Sequence, residues 1–200
     1  MRFCTLTILF SLLFISCNKN KEHSIIKKQD NIEDGFVDYL IKSGNNFCEN
    51  DSIVVLDFID SLNFIVIFDS SCIYTNVDTN NQYDVNKLMG FSDCGTHHQV
   101  NSARFGWNWL EGSIHIYAYC YNNEIRDFKL LDTVSLNTPY LLKMYLRDNQ
   151  YCFSLKNKEY TMSRHCSDNK IFGYQLFPYF GGDETAPHNI LIKIKYLYKL

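Results

Sequence analysis

The chain has 200 residues, 46% apolar and 20% charged, which is enough to bury the core of one ordinary domain and would leave two full domains cramped. Its formal charge of -3 excludes a general nucleic-acid binder, and no Gly-rich phosphate loop, nucleophile elbow or His-Glu-x-x-His motif occurs. Aromatic residues are plentiful, with 15 Phe and 14 Tyr against 2 Trp, and with frequent Asn they favour strands and turns over helices.

Residues 3–15 form an apolar run after the basic Arg2. The run is too short to cross a bilayer but fits the apolar region of a signal peptide. It ends in Phe14-Ile15-Ser16-Cys17, which resembles the lipobox of bacterial lipoproteins, with Phe14 in place of the usual Leu. That resemblance implies removal of residues 1–16 and acylation of Cys17. Residues 17–29 then read as a polar tether, and Asn18 after the cysteine implies sorting to the outer membrane. The expected address is extracytoplasmic, at the outer membrane or cell surface, held through the lipid anchor.

Cys4 falls in the signal segment, leaving Cys48, Cys72, Cys94, Cys120, Cys152 and Cys166. Outside the cytoplasm six cysteines permit up to three disulfides, in any of about 15 pairings, or they serve as small buried apolar groups. No Cys-x-x-Cys pair occurs, so neither a zinc ribbon nor a thioredoxin-like site is indicated.

Further along, Ile32, Phe36, Val37, Leu40 and Ile41 are spaced as on one side of a helix, and Gly44 would stop it. A short amphipathic helix is therefore predicted within a connecting section, residues 30–50. From residue 51 to 200 the period changes to two. Runs at 53–58 and 64–68 are split by the turn-like Asp60-Ser61-Leu62-Asn63. Tight turns are expected at Asn122-Asn123, Asp148-Asn149 and Asn157-Lys158, and a last strand over 189–198, with no tail after it. The fold class that follows is all-β: an antiparallel two-sheet sandwich.

Two hairpin registers can be worked out. With Glu111-Gly112 as a two-residue turn, Trp109 faces Ile114, Trp107 faces Ile116 and Phe105 faces Ala118, a wholly apolar face. The reverse face pairs Asn108 with His115, Gly106 with Tyr117 and Arg104 with Tyr119. With Asp148-Asn149 as the second turn, Leu146 faces Tyr151, Met144 faces Phe153 and Leu142 faces Leu155. Its reverse is polar. Two hairpins, each with one core face, are what two packed sheets require.

The string Thr-Pro-Tyr-Leu-Leu-Lys-Met-Tyr-Leu-Arg-Asp-Asn-Gln-Tyr-Cys-Phe-Ser-Leu-Lys-Asn at 138–157 resembles the late strands of concanavalin A-like lectin/glucanase domains. Gly90-Phe-Ser-Asp-Cys94, His97-His98 with Ser102-Ala-Arg-Phe-Gly-Trp107, and Pro178-Tyr-Phe-Gly-Gly-Asp-Glu-Thr-Ala-Pro-His188 resemble a group of bacterial surface lipoproteins. The first resemblance implies a jelly roll, an architecture shared by lectins, glycosidases and polysaccharide lyases; the second supplies no activity.

Three constellations carry possible chemistry. The hairpin face of Arg104, Asn108, His115, Tyr117 and Tyr119 offers rings for sugar stacking, hydrogen-bonding groups for hydroxyls and a guanidinium for an acidic sugar. The same toolkit suits a polysaccharide lyase, with Arg104, His115 and Tyr117 as catalytic candidates. An ordinary covered sheet face is the bland reading. Cys94-x-x-His97-His98 has metal-ligand residue types, although neighbours on a strand point apart. Asp183-Glu184 in the Gly181–His188 loop could hold a structural calcium ion or only shape the loop; no other cofactor is indicated.

The expected function is glycan recognition by a tethered sandwich without established catalysis. The alternatives are a lyase, or less favourably a hydrolase, acting on an acidic glycan, and a structural or protein-interaction lipoprotein. The glycan, the protein partners, the disulfide pairing and the oligomeric state are not specified by the sequence.

Overall fold

The structure, a computed structural model, describes residues 35–197. The expectations for the signal segment, Cys17 and the tether lie outside the described residues.

Twelve strands run in order: β1 (Val37–Ile41), β2 (Val55–Ile59), β3 (Ser61–Phe68), β4 (Asn86–Ser92), β5 (Ser102–Leu110), β6 (Ser113–Asn122), β7 (Ile125–Val134), β8 (Tyr140–Arg147), β9 (Gln150–Leu155), β10 (Lys158–Ser163), β11 (Ile171–Leu176) and β12 (Ile190–Tyr196). They form two antiparallel sheets of six, β1-β12-β3-β8-β9-β10 and β2-β11-β4-β5-β6-β7. The all-β sandwich expected from the period of two is thus the fold.

The expected helix is not formed over its described part. Residues 37–41 are strand β1, paired from Val37–Ile194 to Ile41–Ile190. Val37, Leu40 and Ile41 do fall at helical spacing. Yet Tyr39 and Ile41, two apart, are the buried pair, and the free edge of β12 supplies the hydrogen bonds. The predicted turn at 60–63 shrinks to Asp60 alone: Ser61, Leu62 and Asn63 already belong to β3, and the chain crosses here from one sheet to the other.

Both deduced hairpins have the expected register, residue for residue, from Leu110–Ser113 out to Arg104–Tyr119 and from Arg147–Gln150 to Leu142–Leu155. Their turns, Glu111-Gly112 and Asp148-Asn149, take positive φ at both positions, as two-residue hairpins require. The other two turns are each displaced by one residue, to Asn123-Glu124 and Lys156-Asn157.

The two apolar hairpin faces meet in one core. Phe105 stands edge-on to Phe64 (5.9 Å) and to Phe153 (5.2 Å), while Trp107 packs on Phe68 at 5.4 Å. Each of these contacts joins one sheet to the other, so the rings of β5 lock onto β3 and β9.

Candidate functional site

The outer face of the second sheet is built by β4 to β7 and by segments that extend it past β4. Tyr179 continues from β11 and exchanges backbone hydrogen bonds with Lys87, N to O at 2.8 and 2.9 Å. Phe47 bridges Tyr179 in turn. Directly opposed residues share a face, so Phe47, Tyr179 and Lys87 form one cross-strand row. Next to Lys87 across the sheet stands Gly106, where a Cβ would lie 2.3 Å from Val85 Cγ1. Two residues back along β5, Arg104 faces Gly90, and a Cβ there would lie 2.1 Å from that of Arg104. The two glycines let large side chains from β5 and β6 lie down across the sheet.

A cavity of about 320 Å3 opens over this face. Three cations stand in its wall, Lys87, Arg104 and Arg126, together with His98, Gln99, Ser102, Tyr119, Tyr121 and Tyr179, and no carboxylate is among the described residues that line it. Lys87 points its ammonium between the rings of Tyr119 (5.5 Å) and Tyr179 (6.0 Å) and donates to the Gly181 carbonyl at 2.6 Å. Burial, with Arg104 and Arg126 nearby, lowers its pKa from the usual 10.5 to about 8. Arg104 is held at 7% exposure; burial lowers its pKa to about 10, and it remains charged at neutral pH. Its Nη2 donates to the carbonyls of Leu88 (2.8 Å) and Phe177 (2.5 Å), while its Nε is buried with no partner among the described residues. Burial pushes the Tyr119 phenol up to about 12, so it keeps its proton. His98 is lowered to about 4, first by burial and then by His97 and Arg104, and its Nδ1 shares a 2.9 Å hydrogen bond with the Tyr174 hydroxyl.

Of the five residues expected to form a binding face, the cavity takes Arg104 and Tyr119. Asn108, His115 and Tyr117 are not in its wall. Asn108 is fully buried and accepts a 3.2 Å hydrogen bond from Tyr117, whose own pKa is raised by burial. The carbonyls of Tyr83 and Asp84, at the end of the 3-10 turn Thr79–Tyr83, lie 3.5 Å from the Asn108 amide nitrogen. That segment caps this half of the hairpin. His115 is half-buried, with no partner for Nδ1 among the described residues. Arg104 also departs from its expected role as an exposed clamp, since two backbone carbonyls occupy its Nη2.

Lys87, Arg126 and Tyr179 were not singled out as a site by the sequence, and His98 only as part of the metal-type run Cys94-x-x-His97-His98. Lys87 lies on an otherwise buried strand and Arg126 on an edge strand. Only the register brings them together, through Tyr121–Arg126 and Lys87–Tyr179.

The remaining candidates have structural partners. Cys94 is bonded to Cys166 with Cα atoms 5.7 Å apart, which removes its thiolate as a metal ligand; Asp93 beside the pair accepts from Arg164. Cys48, Cys72, Cys120 and Cys152 are free and buried. His188 Nε2 lies 2.8 Å from the Ser71 carbonyl. Glu184 accepts from Asn81 Nδ2 (2.9 Å) and from the amides of Asp78 and Val77 (2.8 Å each), which hold its carboxyl below the usual range. These bonds tie the Gly181–His188 loop to the 3-10 turn. Asp183 gives its amide to Asp84 at 3.3 Å.

No family model matches the chain, and the comparison with curated proteins finds no match. Solved structures do match. Alginate lyase AlyC3 superposes with a TM-score of 0.54 at 12% identity, over 80% of this chain and 74% of that one. The same lyase in complex with dimannuronate gives 0.55 at 13%, over 80% and 73%. An alginate lyase from Alteromonas sp.272 gives 0.49 at 7%, over 86% and 90%. At such identities the likeness to AlyC3 shows the fold, a jelly-roll sandwich, and leaves the chemistry to the site itself.

Proposed function

We propose that this chain recognises an acidic glycan in the cavity over β4 to β7. The observation that carries the reading is the convergence of Lys87, Arg104 and Arg126 on one concave site with no carboxylate among the described residues that line it, Asp84 acting on Lys87 from outside that wall. Three cations beside the exposed Tyr179 ring suit a sugar that carries a carboxylate or sulfate, the ring taking its CH face. The unpartnered Arg104 Nε adds a buried donor in want of an acceptor. The fold shared with AlyC3, seen with a bound dimannuronate, is consistent with this use of the sandwich.

The protein that carries the site is proposed to be a lipoprotein anchored through Cys17 outside the inner membrane. The Cys94–Cys166 bond supports an oxidising compartment. Replacing Cys17 by Ser should abolish lipid labelling; normal membrane partitioning of that variant would sink the anchor.

A lyase is the second reading, favoured by a specific observation: a neutral His98 and a protonated Tyr119 face the same cavity. In the tautomer whose Nδ1–H donates to Tyr174, His98 Nε2 is left to accept the proton from C5 of a uronate. The C5–H electrons form the C4–C5 double bond, the C4–O bond breaks, and Tyr119 protonates the leaving oxygen. His98 and Tyr119 thus stand in this reading where the sequence offered His115 and Tyr117 as candidates.

The test is titration of the full chain with acidic and neutral oligosaccharides while ultraviolet absorbance is followed. Saturable binding of acidic glycans alone, weakened by Lys87→Met and Arg126→Ala, supports recognition. Growth of unsaturated-uronate absorbance that His98→Ala abolishes supports the lyase. Equal binding of neutral and acidic glycans overturns both.

A further inference from the structure

The cationic cavity has a more apolar neighbour. A second cavity of about 280 Å3 adjoins it, and His98, Arg104 and Tyr179 stand in the walls of both. Its remaining wall includes Phe47, Ile53, Phe177 and Pro178, and its one lining carboxylate among the described residues is Asp51. Phe47 is 56% exposed and Tyr179 39% exposed, so both present ring surface to solvent next to the cavity. The row Phe47–Tyr179–Lys87 runs from one cavity to the other across hydrogen-bonded segments. Neighbouring strands are spaced about 4.8 Å apart, so this row crosses on the order of 10 Å, more than one sugar unit needs.

We propose that the second cavity is the subsite for the sugar next to the acidic one, and that this neighbour is uncharged. The ligand is then an acidic heteroglycan, a uronate joined to a neutral sugar, rather than a run of uronates. The inference rests on the acidic-glycan reading and adds the identity of the adjoining unit.

Three features support it. The charge balance changes across Tyr179: Lys87 and Arg126 line only the first cavity and Asp51 only the second, while Arg104 lines both. A second carboxylate would sit beside Asp51 and against apolar walls, and the one Lys or Arg lining that cavity among the described residues is the shared Arg104. Arg104 stands in the shared wall, but its Nη2 is already given to Leu88 and Phe177. A neutral pyranose lays its CH face on Phe47, Phe177 or Tyr179 at no such cost.

Calorimetric titration of the full chain with three probes tests this: glucuronate, a disaccharide of glucuronate joined to a neutral hexose, and dimannuronate. The mixed disaccharide should bind about tenfold more tightly than glucuronate, and dimannuronate no more tightly than glucuronate. Phe47→Ala should erase the gain of the mixed disaccharide and leave glucuronate unchanged. Asp51→Asn should give dimannuronate a gain it lacks in the parent protein. An equal gain for both disaccharides in the parent protein, or a gain that survives Phe47→Ala, overturns the inference while leaving the cationic cavity intact. Failure of all three probes to bind overturns the acidic-glycan reading itself, and a glucuronate signal separates the two failures.

Discussion

Arg164 Nε donates to Asp93 Oδ2 at 2.7 Å with the two side chains 1% and 0% exposed. This buried ion pair is almost fully hydrogen-bonded. Asp93 also accepts from Tyr151 (3.1 Å) and from the amides of Cys94 (2.8 Å) and Phe172 (3.3 Å), and Arg164 donates to Asn149 and to the carbonyls of Cys166, Asp168 and Lys170. The pair therefore joins the end of β4, the β8–β9 turn and the segment before β11. Such a pair gives little net stability over an apolar replacement, but removing one partner strands the other.

The expected result is that Arg164→Ala and Asp93→Ala each destabilise the fold by about 3–5 kcal/mol. Chemical denaturation of the two single variants and the double variant measures it. The double variant should lose less than the sum of the singles, because it strands no charge. Strict additivity would show that the two groups act independently.

The disulfide beside that pair closes 72 residues of chain. Cys94→Ser with Cys166→Ser should cost about 2–4 kcal/mol, chiefly through a freer unfolded state. Peptide mapping under non-reducing conditions should find this bond and free thiols at Cys48, Cys72, Cys120 and Cys152. Any other pairing among the six would contradict the geometry.

The hairpin built on Glu111-Gly112 was legible in the sequence because its turn fixes the register and a one-residue slip would mix apolar and polar side chains on both faces. The side of the sheet that faces Arg104 and Asn108 was legible too, but its exposure was not. Whether a polar face meets solvent depends on what crosses it, and here Asp84 and the turn before it come from 24 residues earlier than Asn108. Strand β1 was misread because Val37, Leu40 and Ile41 satisfy a helical period, and only pairing with β12 decides between the two. Lys87 carries no local signal: its role arises from Tyr179, 92 residues further along the chain.

Burial also revises the expected ranking of two substitutions. Trp107 is fully buried between Phe68 and Tyr74, and Trp107→Ala should cost about 3–5 kcal/mol. The sequence suggests a much smaller effect for Arg104→Ala. With Arg104 buried and bonded to two carbonyls, that change should instead cost about 1–3 kcal/mol for each acceptor left without a partner. Arg104→Lys should recover only part of it, since an ammonium cannot reproduce the planar fork. Thermal or denaturant unfolding of the three variants gives the ranking, and a neutral Arg104→Ala would place that side chain outside the protein interior.

The last prediction concerns pH. Lys87 has a folded pKa near 8 against an ordinary 10.5. Between those values the unfolded chain binds more protons at this site, so its contribution to folding stability rises with pH from about 8 to 10.5. Binding runs the other way. An anionic sugar favours the ammonium, a uronate carboxylate stays ionised throughout this range, and Arg104, lowered to about 10, begins to lose its charge only above the Lys87 pKa. Affinity for glucuronate should therefore be level at neutral pH and fall as the pH rises past the Lys87 pKa. His98, with a pKa near 4, is already neutral and adds no slope there. Lys87→Met should weaken binding at neutral pH and flatten this part of the profile. Titrations of the parent protein and the variant at pH 6.5, 8 and 9.5, chosen as roughly spaced points about that pKa, measure both effects. A parent profile that does not fall, or a variant profile that falls equally, would remove Lys87 from the anion site.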